Sequence, residues 1–126
     1  AEIAYEEAIA YAKERKAFGK KLTGFQVTRH KLADMGTKVL TAKTLLYQVA
    51  NRMEAGEEVI AEVSMCKNFC AQIAQEVCYD AVQILGGMGY MRESIVERLS
   101  RDVRILPIGG GTTEVMKEII SKRVGY

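Results

Sequence analysis

The sequence Val-Gln-Ile-Leu-Gly-Gly-Met-Gly, from Val82 to Gly89, ends a long apolar segment with three glycines in four positions. The residues before it repeat apolar side chains every three or four positions, as a helix packed in a bundle requires. Because the stretch follows a helix and is not Gly-x-Gly-x-x-Gly, a Rossmann nucleotide site is excluded. Two interpretations of the glycines are open: a left-handed helix stop, or bare backbone that a ligand or a second chain approaches closely.

The chain on both sides of this stretch has the helical period and nowhere the period of two that is typical of a strand. The pattern predicts helices over residues 1–16, 23–54, 58–85, 91–103 and 113–123. The two longest are joined by a short turn at Gly56, so they must be antiparallel neighbours. The predicted fold of residues 1–126 is therefore a single all-α domain, an up-and-down four-helix bundle with an additional short C-terminal helix.

Several side chains receive structural roles from the same pattern. Thr23 and Gln26 are spaced as a capping box at the start of the second helix. Arg101 and Asp102 are predicted to form a surface ion pair, and the six methionines to fill the core. The cysteines are odd in number and occupy one helix, which favours buried thiols in a reducing compartment over disulfides; they are Cys66, Cys70 and Cys78.

Composition excludes several classes of function. The net charge is only +2, and 18 basic residues are interleaved with 16 acidic ones, so no basic surface for nucleic acid is expected. No apolar run approaches the roughly 18 residues of a membrane span. His30, the only histidine, has no metal-ligand or nucleophile motif around it.

A second glycine cluster, Gly109–Gly111, opens the last predicted helix and is followed by Thr112, Thr113 and Glu114. Bare amides and hydroxyls at a helix N-terminus favour an anion such as a phosphate. The alternative is a flexible loop with a threonine N-cap. No Gly-Lys-Ser/Thr is present, so this is not an ATP-hydrolysing P-loop.

Five separated motifs together resemble one known family. They are Glu-Arg-Lys-Ala-Phe-Gly-Lys (14–20), Phe-Gln (25–26), Asp-Ala-Val-Gln-Ile-Leu-Gly-Gly-Met-Gly-Tyr (80–90), Arg-Asp-Val-Arg (101–104) and Gly-Gly-Gly-Thr-Thr-Glu-Val-Met-Lys-Glu (109–118). In order and spacing the chain is similar to the C-terminal helical domain of acyl-CoA dehydrogenases. The resemblance implies that the N-terminal helical and middle β-domains of a full subunit lie outside residues 1–126.

The resemblance also implies FAD as cofactor, bound partly at a subunit interface. Residues implied to contact the FAD of a neighbouring subunit are Arg15, Phe18, Gln26, Gln83, Ile84, Leu85, Gly86 and Gly87. Those implied to contact the subunit's own FAD are Thr112, Thr113 and Glu114, and Gly111 is implied to lie at the substrate. Such a chain is expected to hold no FAD and to be inactive when it is separated from the other domains.

The family's reaction is α,β-desaturation of an acyl-CoA thioester, in which a carboxylate removes the α-proton. Gly110 occupies the position where many members carry that glutamate. Isovaleryl- and long-chain-type members place it on the first helix of this domain, and the corresponding site here falls before Ala1. No catalytic residue is therefore expected within the chain, and Glu114 is interpreted as a helix N-terminal acid.

The implied partners are an acyl-CoA substrate, an electron-transfer acceptor and further copies of the same chain. The implied location is the bacterial cytoplasm, or the mitochondrial matrix in a eukaryote. Two alternatives stay open: a free-standing helical self-association module, which should have a capped first helix, and a domain of an acyl-CoA oxidase or nitroalkane-oxidase-like flavoenzyme.

Overall fold

The computed structural model describes all 126 residues and contains six α-helices and one small β-hairpin. Two 3₁₀ turns, Leu22–Gly24 and Val103–Ile105, connect elements. The elements in chain order are α1 (Glu2–Glu14), β1 (Lys16–Ala17), β2 (Lys20–Lys21), α2 (Gln26–Glu54), α3 (Ile60–Leu85), α4 (Gly87–Tyr90), α5 (Ile95–Asp102) and α6 (Thr113–Val124). The all-α helical architecture predicted from the sequence is confirmed.

Helices α2 and α3 are the long antiparallel pair that the turn at Gly56 predicts. Ion pairs between them join Lys31 to Asp80 at 3.2 Å and Lys38 to Glu76 at 2.6 Å. Near the turn, Arg52 reaches the α3 residue Glu62 at 3.0 Å. Across these three pairs, the residue number of the α2 partner increases while that of the α3 partner decreases, as expected for antiparallel helices. Helix α3 also contacts every other helix and so forms the centre of the domain.

The core lies where α1, α2, α3 and α5 meet. Along α1, alanines spaced by four residues occupy one face and are completely buried, so α1 lies close against its neighbours. The ten buried residues of the main cluster are Ala4, Ala8, Met35, Ile73, Ala74, Val77, Cys78, Ala81, Val96 and Val103. The three cysteines are free thiols, as predicted, but only Cys66 and Cys78 are buried, and Cys70 is half-buried.

The segment between α1 and α2 differs from the prediction. Helix α1 ends at Glu14 because Arg15 is extended, and a hairpin follows in which Lys16 pairs with Lys21. The predicted capping box is wrong: Thr23 lies in a 3₁₀ turn, and α2 begins at Gln26 without a side-chain cap. The chain is extended at the residue before Gln26, which delays the start of α2 by three residues relative to the prediction.

The glycine stretch after α3 does not form the left-handed helix stop. Gly86 has φ 59° and ψ −133°, which is not the left-handed helical conformation of a Schellman motif. The chain returns to helix at once in α4, so the predicted interruption from Gly86 to Gly89 shrinks to one residue.

Two further predictions are wrong. Arg101 pairs with Glu97, at 2.7 and 3.0 Å, and not with Asp102, because residues four apart share a helix face whereas adjacent residues do not. Of the six methionines only Met35 is buried in the core. Four of the others are exposed to a substantial degree, and they are Met53, Met65, Met88 and Met91.

None of the helices combines the length and the apolar character that crossing a membrane would require.

Candidate functional site

The predicted site residues fall into two groups, and the first surrounds the C-terminal end of α3. Arg15 and the backbone of Gly86 and Gly87 line one cavity of about 570 Å³, together with Ile84 and Leu85. Arg15 forms no ion pair, so its guanidinium is an uncompensated cation beside open backbone. Its backbone is fixed on both sides, because its N–H donates to the Tyr11 carbonyl and its carbonyl accepts from Leu22.

The glycines beside Arg15 have different surroundings. A Cβ added to Gly86 or Gly87 would meet nothing within 4 Å, so their backbone is open to a ligand. A Cβ on Gly89 would lie 2.7 Å from the carbonyl oxygen of Val82 and 2.9 Å from Leu85 Cβ. The close approach that the third glycine permits is thus to the chain's own helix α3. The third glycine is therefore explained by packing within the chain and not by a second chain, while ligand access at Gly86 and Gly87 stays a prediction.

Phe18 is the most unusual residue of the first group. It is 96% exposed and has a φ of 50°, the only positive φ among the non-glycine residues. Its ring packs edge-on against Phe25, with centroids 6.4 Å apart, and Lys20 lies over the Phe25 ring at 4.2 Å. A bulky residue at positive φ is strained. The hairpin therefore holds an apolar ring in solvent at a conformational cost.

Two predicted glutamines lie near this end of the domain but outside the cavity. Gln26 is the exposed first residue of α2, and its Nε2 is 3.3 Å from Nε2 of His30. Gln83 is exposed on the last turn of α3. The structure therefore brings Arg15 together with the glycine stretch, while Phe18, Gln26 and Gln83 extend from the same end of the domain.

The second group is the loop before α6, which we call the glycine loop (Gly109–Thr112). Gly110 and Gly111 have φ values of 66° and 99°. Thr112 is the N-cap of α6, and its hydroxyl oxygen accepts a hydrogen bond of 3.3 Å from Val115 N. The threonine N-cap is therefore present, as one of the two interpretations predicted.

The acid beside the glycine loop stays ionised. Hydrogen bonds to the Glu114 carboxylate, from a backbone amide and then from the Thr112 hydroxyl, lower the pKa of Glu114. A carboxylate held in this way at a helix N-terminus is a poor proton acceptor at neutral pH. It also places negative charge where the sequence predicted an anion to bind.

Sequence reasoning missed two residues that hold the glycine loop. Lys67 of α3 donates from Nζ to the Gly111 carbonyl, and Asn68 Nδ2 donates to the Thr113 carbonyl at 3.2 Å. The bonds span 44 and 45 positions of sequence, so no local pattern reveals them.

The two groups contact different stretches of α3. Lys67, below the glycine loop, and Gln83, at the other group, are sixteen residues apart on this helix. At a rise of about 1.5 Å per residue the separation is about 24 Å. The two groups therefore form two separate surfaces.

No group of histidine, cysteine, aspartate and glutamate side chains could hold a metal ion. Burial is the main cause that raises the pKa of Cys70 to about 11, which makes this thiol unreactive at neutral pH.

Comparisons with known proteins identify relatives along the whole chain. Residues 1–125 match the family described as acyl-CoA dehydrogenase, C-terminal domain. A solved structure of a probable acyl-CoA dehydrogenase from Mycobacterium abscessus has a TM-score of 0.96 at 54% identity and covers 97% of this chain and 32% of that chain. A subunit of the caffeyl-CoA reductase-Etf complex of Acetobacterium woodii is 46% identical over 121 residues, which are 96% of this chain and 32% of the relative.

A structure of PigA in complex with FAD has a TM-score of 0.91 at 28% identity and covers 97% of this chain and 32% of that chain. The chain spans about a third of the length of the proteins that it matches.

Proposed function

Because this chain belongs to the acyl-CoA dehydrogenase family, as its C-terminal domain, we propose that it forms the last third of a longer FAD enzyme that desaturates acyl-CoA thioesters. One observation of the structure carries the proposal: an unpaired guanidinium, Arg15, and the open backbone of Gly86 and Gly87 line the same cavity. A charged pyrophosphate and a flat cofactor that needs close backbone approach are suited to this pair of features.

The residues present fit FAD at this end of the domain. The Arg15 guanidinium binds the pyrophosphate, because a cation with no carboxylate partner gains most from a phosphate. The exposed backbone of Gly86 and Gly87, with Gln83 beside it, holds the polar edge of the cofactor, although the Gly86 N–H itself already donates to the Val82 carbonyl. Phe18 packs against the cofactor and buries a ring that is otherwise in water.

The glycine loop contributes at a second flavin. Thr112, Thr113 and Glu114 contact the subunit's own FAD, and Gly111 lies at the acyl thioester. When bound, FAD supplies the hydride acceptor for desaturation. Since the two groups of residues lie about 24 Å apart along α3, we assign them to two different flavins. This assignment requires an oligomer in which Arg15 and Phe18 reach the cofactor of another subunit.

The α-proton is removed by a residue outside this chain. Gly110 has no side chain at the position of the family's usual base. Glu114 is stabilised as a carboxylate by its hydrogen bonds, which lower its pKa. We therefore place the base on the part of the protein that is N-terminal to Ala1, as in the displaced-base members of the family.

A relative's name favours a second candidate for the direction of the reaction. The caffeyl-CoA reductase-Etf complex subunit is named for reduction of an unsaturated acyl-CoA. In that direction a hydride adds to the β-carbon and a proton to the α-carbon, so the same binding residues serve the reverse reaction. The same name supports an electron-transferring flavoprotein as the redox partner.

The test uses the full-length protein that contains this chain. FAD content and acyl-CoA-dependent reduction of an artificial acceptor are measured over a panel of chain lengths, and enoyl-CoA reduction is measured in parallel. Arg15→Ala and Gln83→Ala should each raise the Kd for FAD. Loss of a hydrogen bond to a charged group, about 1.5–3 kcal/mol, corresponds to a factor of about 10–150 for Arg15.

Arg98→Ala is the matched control, because Arg98 is exposed on α5 and belongs to neither group. It should leave FAD affinity and turnover unchanged. A wild-type protein that binds FAD but reacts with no acyl-CoA or enoyl-CoA would overturn the proposed reaction while leaving the cofactor assignment in place.

A further inference from the structure

The glycine loop is attached to the domain mainly through one turn of α3. Lys67 Nζ donates to the Gly111 carbonyl and Asn68 Nδ2 donates to the Thr113 carbonyl. The backbone bonds at the two ends of the loop are Gly109 N to the Ile105 carbonyl, at 2.8 Å, and Thr113 N to the Pro107 carbonyl, at 3.0 Å. The middle of the loop is thus held by a side chain from another helix.

Apart from these bonds, the loop is held from the α6 side, where the Thr112 hydroxyl caps α6 and the Met116 side chain lies against Gly111. Three consecutive glycines contribute no side chains to the core, and glycine has the largest conformational freedom in the unfolded chain. Open space also lies on both sides of the Lys67 side chain. It lines a cavity of about 720 Å³ that reaches Gly109 and another of about 550 Å³ that reaches Gly110. Without the lysine, the loop has room to move.

The Asn68 side chain bears a cost for this arrangement, and the Lys67 cation lacks a carboxylate partner. Lys67 is half-buried and has no carboxylate within ion-pair distance. The Asn68 Oδ1 atom is buried without a hydrogen-bond donor. Unpaired polar atoms inside a protein are unfavourable, and an apolar residue would avoid the cost. The bonds to the loop are the compensating interactions that the structure provides.

We propose that Lys67 and Asn68 are positioning residues that set the place of the glycine loop, and so of Gly111 and Thr112, relative to the flavin and the thioester. The proposal rests on the proposed function, in which the loop contacts both. Neither residue needs to touch substrate or cofactor. Their role is to make the loop backbone one rigid unit with α3.

The first experiment measures the loop itself, so that it does not depend on activity. Lys67→Met keeps an unbranched apolar stem of the same length as that of lysine but removes the terminal donor. In the full-length protein, hydrogen exchange of a peptide covering residues 109–116 should become faster in Lys67→Met than in the wild type. Unchanged exchange would overturn the proposal, whether or not the protein proves to be an acyl-CoA enzyme.

The second experiment measures the consequence for turnover. A displaced loop should lower kcat per bound flavin by roughly 10- to 100-fold, since small misplacements of reacting groups have effects of this size. The Tm should stay close to the wild-type value, and because kcat is expressed per bound flavin, any loss of FAD does not enter this comparison. The change that a non-oxidisable acyl-CoA thioether causes in the visible spectrum of the flavin should also differ between Lys67→Met and the wild type. Lys67→Arg, which keeps a donor, should restore most of the turnover.

Lys117→Met is the matched control, because Lys117 is exposed on α6 near the loop but donates no hydrogen bond to it. It should behave as the wild type in every measurement. If Lys67→Met does not fold, Asn68→Leu is judged by the same criteria. A variant that loses only stability or flavin, with normal kcat per bound flavin, would show a merely structural role and overturn the proposal.

Discussion

At the residue scale, the three glycines after α3 have three separate structural roles. Gly86 takes a backbone conformation that L-residues avoid, Gly87 leaves backbone exposed, and Gly89 lets α4 lie against α3. Only the roles of Gly87 and Gly89 can be tested separately by substitution with alanine, because both residues have ordinary φ values within α4. Alanine substitution therefore distinguishes ligand access from packing.

Gly89→Ala should destabilise the domain. Its Cβ would lie 2.7 Å from the Val82 carbonyl oxygen and 2.9 Å from Val82 Cα, and a helix backbone cannot yield as a side chain does. Overpacking of this kind costs about 1–3 kcal/mol, measured by denaturant unfolding. Gly87→Ala is the matched control and should not destabilise the domain, since no atom lies within 4 Å of its Cβ. Equal stability of the two variants would contradict this account.

The sequence could place the glycine stretch but not divide its roles. Three glycines in four positions indicated an unusual backbone, yet which of them faces Val82 depends on how α4 folds back. The contact of Lys67 could not be predicted for the same reason, because no local sequence pattern links Lys67 to Gly111, 44 residues later. Arg15 and Phe18 could be named only through family resemblance.

At the element scale, the pairing of α2 with α3 includes a hydrogen-bonded ion pair that responds to pH. The bond between Lys38 and Glu76 is the main reason why the pKa of Glu76 is lowered and that of Lys38 is raised. A carboxyl group whose pKa is lowered on folding stabilises the fold at pH values above its unfolded pKa. This stabilisation is lost as the pH falls through the folded pKa. A lysine whose pKa is raised on folding stabilises the fold at pH values below its unfolded pKa. This stabilisation is lost as the pH rises through the folded pKa.

Glu76→Gln should therefore reduce stability at neutral pH and make the acid side of the stability curve flatter. The pair is about one-third exposed, so the neutral-pH loss should stay below about 1 kcal/mol. Unfolding free energies of both proteins, measured from neutral to acid pH, should converge as Glu76 becomes protonated in the wild type. Parallel curves would contradict the assignment. Glu118→Gln, which breaks a more exposed pair with Lys122, is the control and should change the curve less.

The two long helices could be predicted from the sequence, whereas the hairpin that connects α1 to α2 could not, for a physical reason. Long apolar stripes determine α2 and α3, because many weak preferences add over 29 and 26 residues. The hairpin has two residues per strand, too few for a period of two to appear. Its stability depends on closure between Arg15 and Leu22 and on the Phe18–Phe25 contact.

At the scale of the whole molecule, the domain leaves many large apolar side chains uncovered. Surfaces of this kind mark sites of association. The most exposed are Phe18, Val27, Leu40, Met53, Tyr79, Tyr90 and Tyr126. They lie on several elements, and in the proposed function both the rest of the longer protein and other subunits would cover parts of them.

Residues 1–126 purified alone should contain no stoichiometric flavin and should self-associate as concentration rises. In the proposed function each group of residues provides only part of a flavin-binding site, and the two groups are about 24 Å apart along α3. Visible absorption measures flavin content, and sedimentation velocity measures association. A yellow, strictly monomeric domain would contradict both the assignment to two flavins and the role of the exposed surface.

The conformation of Gly86 has a stereochemical consequence. Reversing the signs of φ 59° and ψ −133° gives values in the polyproline II region, which is comfortable for an L-residue. The position is therefore one that a D-amino acid would occupy without strain. Ribosomal synthesis offers no D-residue, and glycine is the only achiral choice. The backbone handedness at the junction between α3 and α4, and not side-chain chemistry, therefore requires a glycine at this position.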